Sequence, residues 1–245
     1  MFHHMIWRTQ VLDGKTDLSQ DPLAIFDDEE AVNWPVHEVG RNADFFDPKS
    51  ARLLKAGSSI VSDSIHLHAN GRDTKAHLEI GFKLMPKDYK PTYKRAVFGL
   101  GNGVDIDIKA MEANQQLHAY TVLQQHTKII SFEPHLHAPG QRDVPRGDLG
   151  LQHPDAQLRR LRSQLGARLR LRRTTRRRSC RSGTILHIVG YMDNSPTNKN
   201  VPDPRNWQGS GNRSVANMFI DLGMRVALND EQFQEEMAKR RSICT

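Results

Sequence analysis

Apolar residues alternate with others along much of the chain. Ile65-His66-Leu67-His68, Leu78-Ile80-Phe82-Leu84, Val104-Ile106-Ile108 and Ile185-His187-Val189-Tyr191 each send every second side chain to one face, the period of a half-buried strand. Strong turn formers separate these runs: Ala69-Asn70-Gly71, Met85-Pro86-Lys87-Asp88 and Gly99-Leu100-Gly101-Asn102-Gly103, followed later by the polar stretch from Asp193 to Arg213 with Pro202, Pro204 and Gly209-Ser210-Gly211. The pattern predicts a mainly β fold of antiparallel sheets, with strands over 66–68 and on the approach to residues 135–137. One helix is predicted, at the C-terminus. Asn229 can cap it, Gln232 stands three residues on, and Asp230, Glu231 and Glu235 precede Lys239, Arg240 and Arg241, so acids meet the positive end of the helix dipole and bases the negative end.

The spaced glycines Gly99, Gly101 and Gly103 invite comparison with a nucleotide-binding loop. An alternating strand pattern follows them, however, where phosphate binding needs a helix N-terminus, so a hairpin turn is the expectation. The chain has 245 residues, 37% of them hydrophobic, which suffices for a buried core in one large domain or two small ones. Its formal charge of +7 would suggest a nucleic-acid partner if it were evenly spread. It is not: residues 141–182 hold 13 Arg and no Lys against 3 Asp, while the rest carries 22 Lys and Arg against 25 Asp and Glu. That window also lacks all 16 aromatic residues and all 8 Met, so nothing flanks its arginines to stack on bases.

Leu158, Leu161, Leu165 and Leu169 could mark an amphipathic helix in the window, but Arg168, Arg170, Arg172, Arg173 and Arg176 to Arg178 crowd like charges without acidic partners. Arg and Leu are among the most codon-degenerate residues, and a GC-rich gene read one base out of frame becomes rich in both. The window is therefore read as frameshift-like, and its residues are expected to add little to a core. Cys180 and Cys244 are too few for a disulfide framework or a cysteine-ligated zinc site. No apolar run approaches the roughly 18 residues of a spanning helix. The start, Met1 to Trp7, lacks the basic and apolar regions of a signal peptide, which leaves a cytoplasmic protein or a true N-terminus upstream.

Twelve histidines give the sequence its chemistry. His66 and His68, and again His135 and His137, stand two apart, so each pair leaves one strand face and can chelate a d-block ion. His3 and His4 are adjacent and would face opposite ways on a regular strand; they share one ion only at a bend, a bulge or the chain start. The plain alternative for any one pair is an exposed polar strand face.

Taken together, these residues resemble the copper type II, ascorbate-dependent monooxygenases, the family of peptidylglycine alpha-hydroxylating and dopamine beta-monooxygenases, and more closely their bacterial relatives. The resemblance covers nearly all of the chain outside 141–182. It lies in His3-His4-Met5, in Ser64 to Gly71 with the run ending Leu84-Met85-Pro86-Lys87, in Phe132 to Gly140, in Gly183 to His187, and in Asp193 through Pro204 to the run Gly209 to Met218.

The resemblance implies two jelly-roll-like β-sandwich domains, each with one copper, facing a solvent-filled cleft. Here they would be 1–95, incomplete at its N-terminal side, and 96–228, with 229–245 as helix and tail. It implies an electron-transfer copper on His3, His4 and His66, with His68 the competing choice for the third ligand. It also implies an oxygen-activating copper on His135, His137 and Met218. A thioether favours Cu(I) and is seldom a zinc ligand, which fits that set, although Met218 could equally be a core methionine between Val215 and Phe219. Where the family has Asp-Glu before the methionine, this chain has Ala216-Asn217. The implied activity is hydroxylation of a C–H bond in a small-molecule or peptide-like substrate, with dioxygen and a reductant such as ascorbate, in the periplasm or outside the cell. A non-catalytic metal-binding β-sandwich, or nucleic-acid binding through the Arg-rich segment, are the competing functions.

Overall fold

The computed structural model describes residues 2–11, 32–38, 43–67, 71, 73, 75, 77–96, 99–102, 105–137, 140–148, 169–170, 179–211 and 217–241. The fold is mainly β, with several antiparallel sheets and one short C-terminal helix. Among the described residues no helix is long and apolar enough to cross a membrane. The chain divides into two compact units, 1–92 and 93–245.

In the first unit β1 (Phe2–Gln10) is central. It pairs antiparallel with β2 (Val32–Asn33), β3 (His37–Glu38) and, along almost its full length, β4 (Ser59–Leu67). Its core is aromatic. Trp7 stacks on Trp34 with centroids 5.5 Å apart, and Phe82 meets both rings edge-on. Each indole N–H is used: Trp7 Nε1 donates to the Pro35 carbonyl at 3.0 Å and Trp34 Nε1 to Thr9 Oγ1 at 2.9 Å, so burial leaves no orphan donor.

The second unit contains β5 (Lys94–Arg95), β6 (Gly101–Asn102), β7 (Gln115–Val122), β8 (His126–Ile129), β9 (Ser131–Phe132), β10 (Pro134–Leu136), β11 (Gly140–Asp148), β12 (Leu169–Arg170), β13 (Ser179–Cys180), β14 (Ile185–Met192), β15 (Phe219–Asp221), β16 (Arg225–Leu228) and helix α1 (Asp230–Arg241). Strand β14 lies between β11 and β7 in a three-stranded sheet, in unbroken register with β7 from Ile185 opposite Val122 to Met192 opposite Gln115. Alternation sends Leu186, Ile188 and Met192 inward onto Ala119, Ile106, Ile108, Phe132 and Phe219.

The sheet β10-β15-β6 closes on this core through Phe219, which is fully buried. A Cβ on Gly190 would stand 2.8 Å from two atoms of the Phe219 ring, so the missing side chain lets the two sheets approach. Burying a phenyl ring of this kind contributes about 2–3 kcal/mol. Asp221, at the end of β15, holds the neighbouring turns: its Oδ1 accepts from the Glu133 and Gly223 amides, each at 2.8 Å, and its Oδ2 pairs with buried Arg225.

The predicted helix starts where its capping residues place it. Asn229 Oδ1 accepts from the Gln232 amide at 2.8 Å and Gln232 Oε1 accepts from the Asn229 amide at 3.0 Å. Phe233 packs beneath it on His126, and Lys128 and Tyr93 meet Glu236.

Two predicted strands are absent as such. Residues 77–84 form no ladder; the run keeps the alternation, with Phe82 turned to the tryptophans, but has no paired strand among the described residues. Residues 105–108 bury Ile106 and Ile108 yet, among the described residues, their only β-pairing is the single bridge of Ile108 with Gln208. Period two reports an extended chain with one buried face, and a ladder needs a partner as well. Within the Arg-rich window the backbone of 141–148 continues β11, paired with β14. The burial of the window's leucines, and the amphipathic helix weighed for 158–169, lie outside the described residues apart from the backbone of Leu169.

Candidate metal centre

Strand β10 ends at Leu136, and its neighbours in sequence alternate across it. Leu136 packs toward the core opposite Phe219, so His135 and His137 leave the other face. Their Nε2 atoms are 3.1 Å apart, with ring centroids 5.0 Å apart and planes at 79°. Two imidazoles joined in line through one N–H···N bond set their centroids apart by the N···N distance plus about 2.3 Å for the two ring bodies. The His135–His137 centroids fall a few tenths of an ångström short of that, and the two ring nitrogens meet within hydrogen-bond distance.

Pro134 faces Asp221, His135 faces Ile220 and Leu136 faces Phe219, where the pairing of β10 with β15 ends. Met218 is half-buried and stands one position before β15. A nitrogen pair at this separation suits metal–nitrogen bonds of about 2 Å, and imidazole is a ligand for copper as for zinc.

In the first unit, His4 on β1 stands directly opposite His66 on β4, with ring centroids 3.9 Å apart and planes at 41°. His4 is buried and His66 half-buried. The register between β1 and β4 slips between Phe2 and His4, which puts the irregularity at His3, the one device by which adjacent residues on a strand can serve one centre. The His3 side chain and the whole of His68 lie outside the described residues, and with them the choice between His66 and His68. No group of three or more His, Cys, Asp and Glu side chains in a metal-binding arrangement occurs among the described residues.

A further histidine pair escaped the sequence reading. His118 Nδ1 and His187 Nε2 are 2.9 Å apart, with centroids at 5.1 Å and planes within 21°. In-line geometry would give about 5.2 Å, so these rings share a proton edge to edge. Tyr120 stacks on His187 at 4.2 Å. The residues lie diagonally across β7 and β14, 69 positions apart in sequence, and only their common parity in the alternation hinted at a shared face. His126 is structural: Nδ1 accepts from the Ser182 amide at 3.0 Å, Nε2 faces Asp230 at 3.1 Å, and the ring stacks on Phe233.

Comparison of the chain with protein-family models and with curated proteins finds no match.

Proposed function

We propose that this chain is a copper-dependent monooxygenase-like protein, with His135, His137 and Met218 as the oxygen-activating centre and His4 and His66, with His3, as the electron-transfer centre. The observation that carries the reading is the His135–His137 pair, Nε2 to Nε2 at 3.1 Å, with Met218 one position before the strand that pairs with β10. Copper bound at these residues supplies one-electron redox chemistry with dioxygen, which the protein's own side chains lack. The chain's part is to hold two imidazoles on one strand and a thioether on the next, so that the softer oxidation state is favoured before dioxygen is met. Ascorbate or another small reductant, and a small or peptide-like C–H substrate, are the co-reactants this reading requires; a periplasmic or extracellular location goes with it.

The test is Cu(I) titration of the purified chain, with Met218→Ile beside it. Isoleucine matches the bulk of methionine and lacks the sulfur. The expected result is Cu(I) binding in preference to zinc, weakened at one site only by the substitution, together with ascorbate-dependent oxygen uptake by the copper-loaded protein. Unchanged Cu(I) affinity in Met218→Ile removes Met218 from the centre. Copper binding without oxygen uptake shifts the reading to a non-catalytic metal-binding sandwich.

A further inference from the structure

Immediately before Met218 in sequence ends a series of side-chain amides, buried Asn194, half-buried Gln208 and buried Asn217, whose direction is fixed at its far end. Asn194, fully buried, points its Nδ2 at two backbone carbonyls, Lys109 at 3.1 Å and Asn206 at 2.9 Å. Its Oδ1 must then be the acceptor, and Gln208 Nε2 donates to it at 3.3 Å. That leaves Gln208 Oε1 facing Asn217, whose Nδ2 lies 3.5 Å away. No amide in the series can flip without setting two acceptors against each other. The series ends on Asn217 Oδ1, an acceptor in a fully buried residue that has no hydrogen-bond partner.

A buried, unpartnered carbonyl is a cost that an apolar side chain of similar shape would avoid. What the asparagine provides is its donor end and a tightly held backbone. The Asn217 amide donates to the Gly209 carbonyl at 2.9 Å, and its own carbonyl accepts from the Gly211 amide at 3.0 Å. Residue 217 is thus held by both main-chain groups and by its side chain, and residue 218 is the next along the chain, one position before β15.

We propose that Asn217 is the positioning residue for the Met218 thioether, fixing the chain immediately before it through the Asn194–Gln208–Asn217 amide series. This rests on the reading of His135, His137 and Met218 as a copper centre.

The test compares the full-length chain with Asn217→Leu and Asn217→Asp, using Met218→Ile as the reference for complete loss of sulfur. Leucine keeps the shape and removes both polar atoms; aspartate keeps the shape and the acceptors but cannot donate to Gln208, which cannot turn round to compensate. Three quantities are measured: Cu(I) affinity by competition with a chelator, sulfur scattering at the copper X-ray absorption edge, and the Met218 methyl resonance of metal-free protein labelled at methionine methyls. Both variants are expected to lose sulfur scattering while keeping nitrogen scattering. They should bind Cu(I) roughly 10- to 100-fold more weakly, the usual effect of removing an outer-shell partner. In the metal-free variants the Met218 resonance should move while those of Met192 and Met224 stay in place.

Sulfur scattering retained in both variants, with affinity within threefold of the parent, overturns the positioning role and leaves the copper reading standing. Equal movement of the Met192 and Met224 resonances also overturns it, since that marks a general loss of packing. A parent chain that binds Cu(I) without sulfur overturns the Met218 assignment and the role of Asn217 with it.

Discussion

At single residues, spacing on a strand settles more of the chemistry than residue type does. His135 and His137 reach each other because one residue separates them, and that residue, Leu136, is the one that goes inward. Phe219, the neighbour of Met218, is fully buried, and its phenyl ring seats against Gly190. An alanine at 190 would bring a methyl carbon to 2.8 Å from the Phe219 ring and 3.3 Å from Leu136. Gly190→Ala is therefore expected to destabilise the second unit by about 1–3 kcal/mol, the range for overpacking. Urea unfolding measures it, and the double variant Gly190→Ala with Phe219→Leu should recover part of the loss. Full stability in the single variant would mean that the two sheets can separate at no cost. The His-x-His pair was legible in the sequence because its geometry is local. The His118–His187 pair was not, because it depends on how β7 and β14 are registered.

Among the elements, the helix and the long strands follow from local signals, whereas the short strands do not. Asn229 and Gln232 announce the helix start, and its attachment can be tested through pH. Glu236 meets Lys128 at 2.7 Å and the Tyr93 hydroxyl at 2.8 Å. Burial alone would raise its pKa, but the hydrogen bonds from Lys128 and Tyr93, with the charges of Lys128 and Lys239, outweigh that and hold it below the ordinary carboxylate value. A carboxyl whose pKa is lower when folded stabilises the fold fully above its unfolded pKa, about 4.3 for Glu, and loses that contribution as pH falls through the folded value. Glu236→Gln should accordingly lower stability at neutral pH and flatten the fall in stability on the acid side of about pH 4. Urea midpoints between neutral and strongly acidic pH follow the effect, and an unchanged acid limb would assign the acid sensitivity to other carboxylates. Strands of two or three residues, such as β6 and β9, carry no period that a sequence can show. They exist because a neighbour pairs with them, Ile220 with Gly101 and Leu169 with Phe132.

For the whole molecule, the division into 1–92 and 93–245 puts the two histidine centres on separate bodies, each with its own core. His4 and His66 are held by a ladder of the first unit; His135 and His137 are held by β10 and β15 of the second. Centres built from disjoint sets of elements are expected to lose their ions independently. The copper reading then predicts two equivalents of copper in the parent chain, one in His66→Ala, one in His137→Ala and none in the double variant. Elemental analysis after removal of loosely held metal gives the counts. The retained equivalent in each single variant should match the parent's corresponding site in affinity, because no strand pairing among the described residues links the removed ligand to the other centre. Loss of both equivalents in either single variant would show that the centres assemble together, and the two units would then have to be treated as one metal-dependent body.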